Sequence, residues 1–287
     1  MRIRKAQRVS GNSFTLGRRR QTVGARAHVV PAQPVAPLIL PIPTVTRPLR
    51  AEPYYVSLAQ TDSERRAAFR LRFRVFNLEM NEGLESSYQT GEDTDAFDAV
   101  CDHLIVRHRA TDEIVGTYRL QTGETAARNL GYYSAREFEF ASYEPLRSQV
   151  VELGRACIHP HHRKYEVLIL LWKGIARYGR ERNARYLIGC SSISTQDQLV
   201  GSAVYEKLKP MLAPEELRTV PQTGCGFPIA SNGADVGPPK LLRAYLSVGA
   251  RICGPPALDR EFRTIDFLTL MDLNSLSPSV RSRFIES

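Results

Sequence analysis

The chain has 287 residues, enough for one large domain, and its 43% apolar and 24% charged content is typical of a globular protein. The formal charge of +9 comes from the first 50 residues, which hold ten Lys or Arg and no Asp or Glu, so the remaining 237 residues carry −1. This near-neutral remainder argues against a nucleic-acid-binding domain, and no apolar run approaches the roughly 20 residues of a membrane span.

Residues 1–53 are predicted to be a disordered, basic, proline-rich tail. Seven prolines between Pro31 and Pro53 favour an extended linker. The tail is either a solvated leader or an attachment to an anionic membrane surface or an acidic partner protein. A mitochondrial transit peptide is a third interpretation, although the prolines disfavour its amphipathic helix. The tail lacks a secretory apolar segment, and five scattered cysteines without a C-x-x-C pair indicate reduced thiols. We therefore expect a cytoplasmic location, with peripheral attachment to the inner membrane face if the tail binds lipid.

From Tyr54 onward, strand and helix patterns alternate. In chain order they predict strand 54–58, helix 62–80, polar loop 81–93, strands 103–108 and 113–120, a partly helical 126–140, strand 150–158, helix 167–182, strand 186–190, helix 196–208, a loop-rich 214–237, helix 239–249 and strand 263–270. Asp62 is the expected N-cap of the long first helix. The order predicts a mixed α/β (α+β) fold in one domain, residues 54–287.

Charged residues interrupt the apolar strands. Arg119 follows Gly116-Thr-Tyr, and alternation in a strand turns it to the side of Thr117, where an inward arginine needs a carboxylate or a bound anion. Glu152 follows two valines, and desolvation in such a strand makes a carboxylate a better base. The alternative for Glu152 is a buried ion pair with Arg119 or Arg155, and the two interpretations are compatible.

Further charges precede these strands. Arg72 and Phe76 are four residues apart and share a helix face, although a solvated surface charge is the ordinary role of an arginine there. Asp95 and Asp98 are three apart, so they either face one cavity or serve turn and cap chemistry. Asp102-His103 opens the next strand, where a lone histidine is more often structural than catalytic.

Other chemistries have weaker signals. His159, His161 and His162 are close in sequence, but no carboxylate or cysteine completes a zinc spacing, so no metal is expected. The chain has no Walker loop and no G-x-G-x-x-G, and Ser191-Ser192 lies outside any G-x-S-x-G. We expect no bound cofactor.

Taken together, these clusters resemble a known family. Their order is that of the core motifs of N-acyl-homoserine lactone synthases, within the GNAT acyltransferase superfamily: Arg72-Phe-Arg-Val-Phe76, Asp95-Ala-Phe-Asp98, Gly116-Thr-Tyr-Arg119-Leu and Glu152-Leu-Gly-Arg155. The chain is more similar still to the ornithine-lipid-type, hemolysin-like N-acyltransferases. That likeness adds Cys101-Asp-His-Leu104, Ile114-Val-Gly-Thr-Tyr-Arg-Leu120, Glu152-Leu-Gly-Arg-Ala-Cys-Ile-His-Pro160, Leu171-Trp-Lys-Gly-Ile175, Leu241-Leu-Arg-Ala-Tyr-Leu-Ser-Val-Gly-Ala250 and Gly254-Pro-Pro-Ala-Leu-Asp259. The resemblance covers residues 54–272, and the motifs are specific for the family when they occur together.

The resemblance implies a GNAT-like fold, with a central, mixed, splayed sheet flanked by helices. It also implies transfer of a fatty acyl group from acyl carrier protein to the α-amine of an amino acid, with ornithine the first candidate. By the family pattern Glu152 is the base, directly or through water. The electrostatic framework would be Arg72, Asp95, Asp98, Arg119 and Arg155. Of these, Asp98, Arg119 and Arg155 are expected to be catalytic, and the expected substrate-binding residues are Arg72, Phe76, Asp95, Asp102 and His103.

The donor site departs from the superfamily pattern. The usual glycine-rich loop before the central helix is replaced by His162-Arg-Lys-Tyr-Glu-Val167, which has no glycine to let backbone approach a pyrophosphate. This disfavours CoA and favours the carrier protein, whose phosphopantetheine phosphate or acidic surface suits Arg163 and Lys164. The alternatives are an acyl-homoserine lactone synthase, which lacks the extra C-terminal motif, and a non-enzymatic, hemolysin-like membrane-binding protein.

Overall fold

The computed structural model describes residues 53–230 and 236–284, so the predicted tail lies outside the described residues. One eight-stranded sheet has the order β1-β2-β3-β4-β5-β8-β6, with β7 also paired to β8. The strands are β1 (Tyr54–Leu58), β2 (Asp102–His108), β3 (Ile114–Thr122), β4 (Val150–Ile158), β5 (Tyr186–Ile193), β6 (Arg251–Ile252), β7 (Ala257–Asp259) and β8 (Thr264–Asp272). Strands β4 and β5 pair in parallel and the other pairs are antiparallel. The predicted mixed α/β class is confirmed.

Helices flank this sheet. They are α1 (Asp62–Arg72), α2 (Ser87–Thr90), α3 (Gly123–Arg128), α4 (Tyr165–Glu181), α5 (Gln198–Leu208), α6 (Lys240–Ser247) and α7 (Pro278–Phe284). The N-cap of α1 is Thr61, not Asp62 as predicted, because the Thr61 and Glu64 side chains cap each other's backbone N–H groups. Among the described helices none is long and apolar enough to cross a membrane.

The first helix changes character after Arg72. It continues as a π-helix over Phe73–Glu79, so the predicted extent to residue 80 is nearly right but the winding is not. A π-helical turn is wider than an α-helical one and is common beside functional sites. Here it carries Phe76 to the cavity described below, while Arg72 remains fully buried behind it.

One face of the sheet is covered by α4. Its apolar side packs Val167, Leu171 and Ile175 against strand residues from β1 to β5. Gly174 permits this close approach, because a Cβ there would lie 2.8 Å from a methyl carbon of Val56. The helix is thereby fixed tightly to the sheet on this side.

The opposite face is covered by an aromatic segment between β3 and β4. Tyr132, Phe138, Phe140 and Tyr143 are buried there and pack with Ile188 and other residues of the central strands. Residues 126–140, predicted as partly helical, contain the end of α3 and a 3-10 turn over Tyr133–Arg136. That turn holds its backbone N–H groups over the centre of the sheet.

Candidate functional site

The central feature of the molecule is a fork in the sheet. Strands β4 and β5 pair only at Val150–Glu152 with Tyr186–Ile188, and beyond these positions they separate. At the point of separation a Cβ on Gly189 would lie 2.2 Å from the carbonyl oxygen of Leu153, so glycine is required for the strands to touch there. A cavity of about 530 Å³ opens in this fork.

The cavity reaches both faces of the sheet. Glu152 and Leu153 are successive residues of one strand, so they point to opposite faces, and both line the cavity. The polar lining includes Arg119, Gln121, Ser134, Glu152 and Arg155, and the apolar lining includes Leu168, Leu171, Trp172, Leu242, Val248 and Met271. A polar compartment therefore connects through the fork to an apolar arm between α4 and α6.

Glu152 is a buried carboxylate held by neutral donors. Its Oε2 accepts from the Gln121 side chain at 2.5 Å and from the backbone N–H of Tyr133 at 2.8 Å, and its Oε1 accepts from the Ser134 N–H at 2.7 Å. The alternative prediction of an ion pair with Arg119 or Arg155 is wrong, because both arginines pair with aspartates elsewhere. Only 4% of Glu152 is exposed.

Behind this carboxylate lies an arginine–aspartate frame, defined as Arg72, Asp93, Asp95, Asp98, Arg119 and Arg155. Arg72 donates through Nη1 and Nη2 to the two oxygens of Asp98, at 2.6 and 2.9 Å, and through Nε to Asp93 at 2.7 Å. Such a bidentate pair has the strongest geometry available to an arginine. Burial would raise the pKa of Asp98, but the charges of Arg72 and Arg119 lower it well below the usual range.

Arg119 joins the frame to the cavity. Its Nη1 donates to Asp95 at 2.6 Å and to Asp98 at 3.2 Å, which confirms that an arginine turned inward here needs carboxylates. Its guanidinium lies over the Tyr133 ring at 4.9 Å. The buried Nη2 atom has no hydrogen-bond partner among the described residues. Arg119 thus lines the cavity and keeps one guanidinium nitrogen without an acceptor among the described residues.

Asp95 and Asp98 serve the predicted cap chemistry, and they do not face the cavity as the other prediction had it. Asp95 caps the short 3-10 helix Ala96–Ala99 through its contact with the Phe97 N–H, and Asp98 accepts from the Asp95 N–H. Cap chemistry thus positions the two acids, and neither lines the cavity. They support Arg119 rather than face the open space themselves.

Arg155 stands on a bulge in β4. Two residues of β4, Arg155 and Ala156, oppose Tyr118 alone, and Arg155 has a left-handed φ of +50°. The bulge turns its side chain to Asp93, to which it donates, and stacks it on Phe76 at 4.7 Å and Phe262 at 4.5 Å. Phe76 and Arg155 both line the cavity, so these two predicted residues lie together.

His103 and Asp102 lie elsewhere. His103 is buried, its Nε2 contacts the Asp98 carbonyl oxygen at 3.1 Å, and burial lowers its pKa. Asp102 accepts from the Tyr178 hydroxyl at 2.7 Å and is the exposed first residue of β2. Neither lines the cavity, so the structure does not support the predicted substrate-pocket position for either residue.

The predicted donor residues differ in position. Arg163 lines the cavity and pairs with both carboxylate oxygens of Glu79 at 2.5 and 2.7 Å. Lys164 is exposed, does not line the cavity, and marks the start of α4 as its N-cap residue. A phosphate at this end of the cavity would meet Arg163 first.

The sequence interpretation missed a second group of buried acids, which we call the acidic cluster: Glu137, Asp259 and Asp266. Asp259 and Asp266 line the cavity, and ligand atoms of Glu137, Asp266 and Cys190 all lie within 4.8 Å of one another. The signal was present in Ile265-Asp266-Phe267, a charge within an apolar strand like that of Glu152. All five cysteines are free thiols.

Comparisons with known proteins agree with this architecture. Residues 71–173 match the family model of the Acetyltransferase (GNAT) domain, which confirms the predicted GNAT-like fold. The chain is 33% identical over 241 residues to an L-ornithine N(alpha)-acyltransferase of Agrobacterium fabrum, covering 77% of this chain and 81% of that protein. It is 31% identical over 260 residues to one of Brucella abortus, covering 80% and 86%. Among solved structures, the AHL synthase LasI has a TM-score of 0.48 and 12% identity over 82% of this chain and 95% of that chain.

Proposed function

Because the chain belongs to the L-ornithine N(alpha)-acyltransferase family, and so is an acyltransferase, we propose that it moves a fatty acyl group from acyl carrier protein to the α-amine of ornithine. The observation that carries this proposal is the position of Glu152. It is a buried carboxylate with neutral hydrogen-bond partners, on the wall of a cavity that opens between two separated strands. A proton acceptor is thus held where an amine and an acyl group can meet.

The reaction needs one proton acceptor and no covalent enzyme intermediate. An amino acid enters as an ammonium, and Glu152 takes its proton directly or through a water molecule. The neutral amine then attacks the thioester carbonyl, the C–N bond forms and the C–S bond breaks. The nitrogen loses a second proton as the tetrahedral intermediate collapses. Of the two protons, one goes to the departing thiolate and the other to solvent, so the carboxylate is regenerated.

Two sets of hydrogen-bond donors suit the negative charges of the reaction, namely the oxyanion of the intermediate and the carboxylate of the acceptor. Past Glu152, the backbone groups of β4 that face β5 have no strand partner, so N–H groups are available for the oxyanion of the tetrahedral intermediate. The free Nη2 of Arg119 suits the carboxylate of an amino-acid acceptor. The frame aspartates hold that arginine in place.

The apolar arm suits the acyl chain. Leu171 and Trp172 of α4 face Leu242 and Val248 across this arm, where a fatty chain would replace water. Carrier protein rather than CoA is favoured because residues 162–167 lack a glycine. Arg163 supports the same donor if its pair with Glu79 opens for the phosphopantetheine phosphate.

A thiol-release assay tests the proposal. Full-length protein with long-chain acyl carrier protein and ornithine is expected to release thiol and form acyl-ornithine, identified by mass spectrometry. Glu152→Gln keeps the shape but not the base, so turnover should fall by about 100-fold or more. The matched control is Glu139→Gln, an exposed glutamate near the same segment, which should retain wild-type turnover. Wild-type rates in Glu152→Gln would remove Glu152 as base.

The donor is tested in the same assay. Acyl carrier protein should be used in preference to the matching acyl-CoA, and Arg163→Ala should raise KM for the carrier protein more than it changes kcat. Equal use of acyl-CoA would contradict the donor while leaving amino-acid acylation intact. If thiol is released but none of ornithine, lysine and glycine is acylated, the proposed class of acceptor is contradicted.

The basic tail carries a separate proposal of attachment to an anionic membrane. Ten basic residues without an acid, in residues 1–50, support it. Deleting these residues should reduce sedimentation with phosphatidylglycerol vesicles and leave turnover on soluble substrates unchanged. Unchanged vesicle binding would contradict this role.

A further inference from the structure

The acidic cluster is buried without a cation. Glu137, Asp259 and Asp266 are 6%, 9% and 4% exposed, and none of them forms an ion pair within the described parts of the chain. The Oε2 atom of Glu137 accepts no hydrogen bond there. Asp259 accepts from the backbone N–H groups of Glu261 and Phe262, and Asp266 accepts from the Thr264 hydroxyl, but these donors carry no charge. Burying carboxylates without a counter-charge is unfavourable, so this place suits a cation supplied from outside.

The strand register places this cluster beside Glu152 on one face of the sheet. Ile188 of β5 lies opposite Glu152, Cys190 lies two residues further, and Ser192 pairs with Asp266 of β8. Alternate residues of a strand share a face, so Glu152, Cys190 and Asp266 project to the same side. Cys190 therefore stands between Glu152 and Asp266 on this face, and Glu152 and Asp266 line the same cavity.

The electrostatics of the cluster match those of an empty cation site. Burial, together with the charges of Asp266 and Asp259, raises the pKa of Glu137 to about 10. Burial also raises the pKa of Asp266 to about 6. The neighbouring Arg136 is half exposed and pairs with Glu261 at 3.1 Å, so it does not neutralise the group by direct contact. A cationic ligand group would lower the free energy of the charged carboxylates.

We propose that Glu137, Asp259 and Asp266 bind the side-chain ammonium of a diamino acid acceptor while its α-amine faces Glu152. This inference rests on the proposed function and assigns the selectivity for the acceptor to this cluster. An ammonium has three N–H donors, which three carboxylates can accept. In extended ornithine the two nitrogens are about 6 Å apart, from five bonds of ordinary length, so its two ends can meet separate carboxylates that line one cavity.

A metal ion fits the same residues less well. Burial raises the pKa of the Cys190 thiol well above its usual value, so this group stays protonated, whereas a metal binds the thiolate. Glu137, Cys190 and Asp266 would have to lose their protons together. An organic ammonium also favours the charged carboxylates, but it leaves the Cys190 thiol protonated.

Norvaline is the probe that isolates the second amine, because it is ornithine without the δ-nitrogen. Wild-type full-length protein should show a higher kcat/KM for ornithine than for norvaline, with acyl carrier protein as donor. In Asp266→Asn, kcat/KM for ornithine should fall on the order of 30-fold or more, and the ornithine-to-norvaline ratio should fall with it. Glu261→Gln is the matched control, because the side chain of this exposed glutamate accepts from Arg136, while the backbone N–H that it donates to Asp259 is kept in the variant, so its ratio should stay at the wild-type value.

The outcomes separate the two proposals. If amino acids are acylated but Asp266→Asn lowers ornithine and norvaline equally, the subsite is wrong and the amino-acid acylation stands. If no amino acid is acylated, the proposed function fails, and calorimetric titration with 1,4-diaminobutane decides the subsite: binding lost in Asp266→Asn supports it, and no binding by wild type overturns it. Zn²⁺ binding that is lost in Asp266→Asn and not displaced by 1,4-diaminobutane would also overturn it.

Discussion

The arginine–aspartate frame and the acidic cluster are two buried groups of charges in the same protein, and they are built in opposite ways. In the frame, Asp93 and Asp98 each bind arginine side chains, and each of the three arginines pairs with at least one aspartate. In the acidic cluster, Glu137 and Asp266 have no cation within residues 53–230 and 236–284. Paired charges thus hold a shape, and unpaired ones mark a place where a ligand completes the balance.

The largest effect is expected from breaking the frame. Arg72→Leu removes the bidentate partner of Asp98 and one partner of Asp93, so two buried carboxylates lose charge compensation. Urea unfolding should show a loss of about 3–5 kcal/mol. Arg66→Leu, which removes an exposed arginine of α1 paired with Glu92, is the control and should cost less than about 1 kcal/mol. A loss as small in Arg72→Leu as in the control would show that the frame is not a stability element.

In the acidic cluster, removing an acidic group is expected to stabilise the protein instead. Glu137→Gln removes an acid that must stay protonated in the folded protein while the unfolded chain ionises it, and should raise the free energy of unfolding by about 2 kcal/mol at pH 8. Urea unfolding of wild type and variant under the same conditions measures this. Destabilisation in the variant would mean that Glu137 already has a partner and that the contrast with the frame is false.

The pH dependence sharpens the same contrast. A folded-state pKa of about 10 for Glu137 means that the folded protein keeps a proton that the unfolded chain releases, so its contribution to stability is lost as pH rises from the unfolded value toward 10. The difference in the free energy of unfolding between Glu137→Gln and wild type should therefore shrink to within about 0.5 kcal/mol at pH 5. Asp98 acts in the other direction, since its lowered pKa stabilises the protein above the unfolded value and is lost on acidification. A gap independent of pH would contradict the assignment.

The smallest effect is expected at the rim of the frame. Asp95→Asn preserves the cap of the short helix, because asparagine also caps well, but removes the charge facing Arg119. Thermal unfolding should report a loss of about 0.5–1 kcal/mol. A loss comparable to that of Arg72→Leu would place Asp95 among the fully buried pairs instead of at their edge.

The fold was largely predictable because its central elements have strong apolar periodicity. Strand β4 was predicted with its observed bounds, and α4 and α5 within two residues. The elements β6, β7 and α2 were missed because two to four residues are too few to show a period. The π-helical winding after Arg72 and the bulge at Arg155 depend on packing between distant segments, which local propensity does not encode.

The site was predictable where a charge interrupted an apolar strand, and less so elsewhere. Glu152 and Arg119 were identified in this way, and both line the cavity. Asp102 is the first residue of its strand, where alternation does not yet fix the direction of a side chain, so its partner could not be inferred from spacing. Asp266 had the same signal as Glu152, but whether a buried acid has a partner depends on long-range contacts that no local pattern records. The non-enzymatic alternative is wrong, because the chain is an acyltransferase.

The contact between Gly189 and the Leu153 carbonyl has a consequence for the design of variants. Because this contact fixes the branch point of the two strands, the width of the opening between them is a constant of the backbone. In the proposed binding mode the acyl chain lies in the apolar arm, so its length would depend on side chains that line this arm, such as Leu242 and Val248. Remodelling for new lipid products should begin on α6 and leave β5 unaltered.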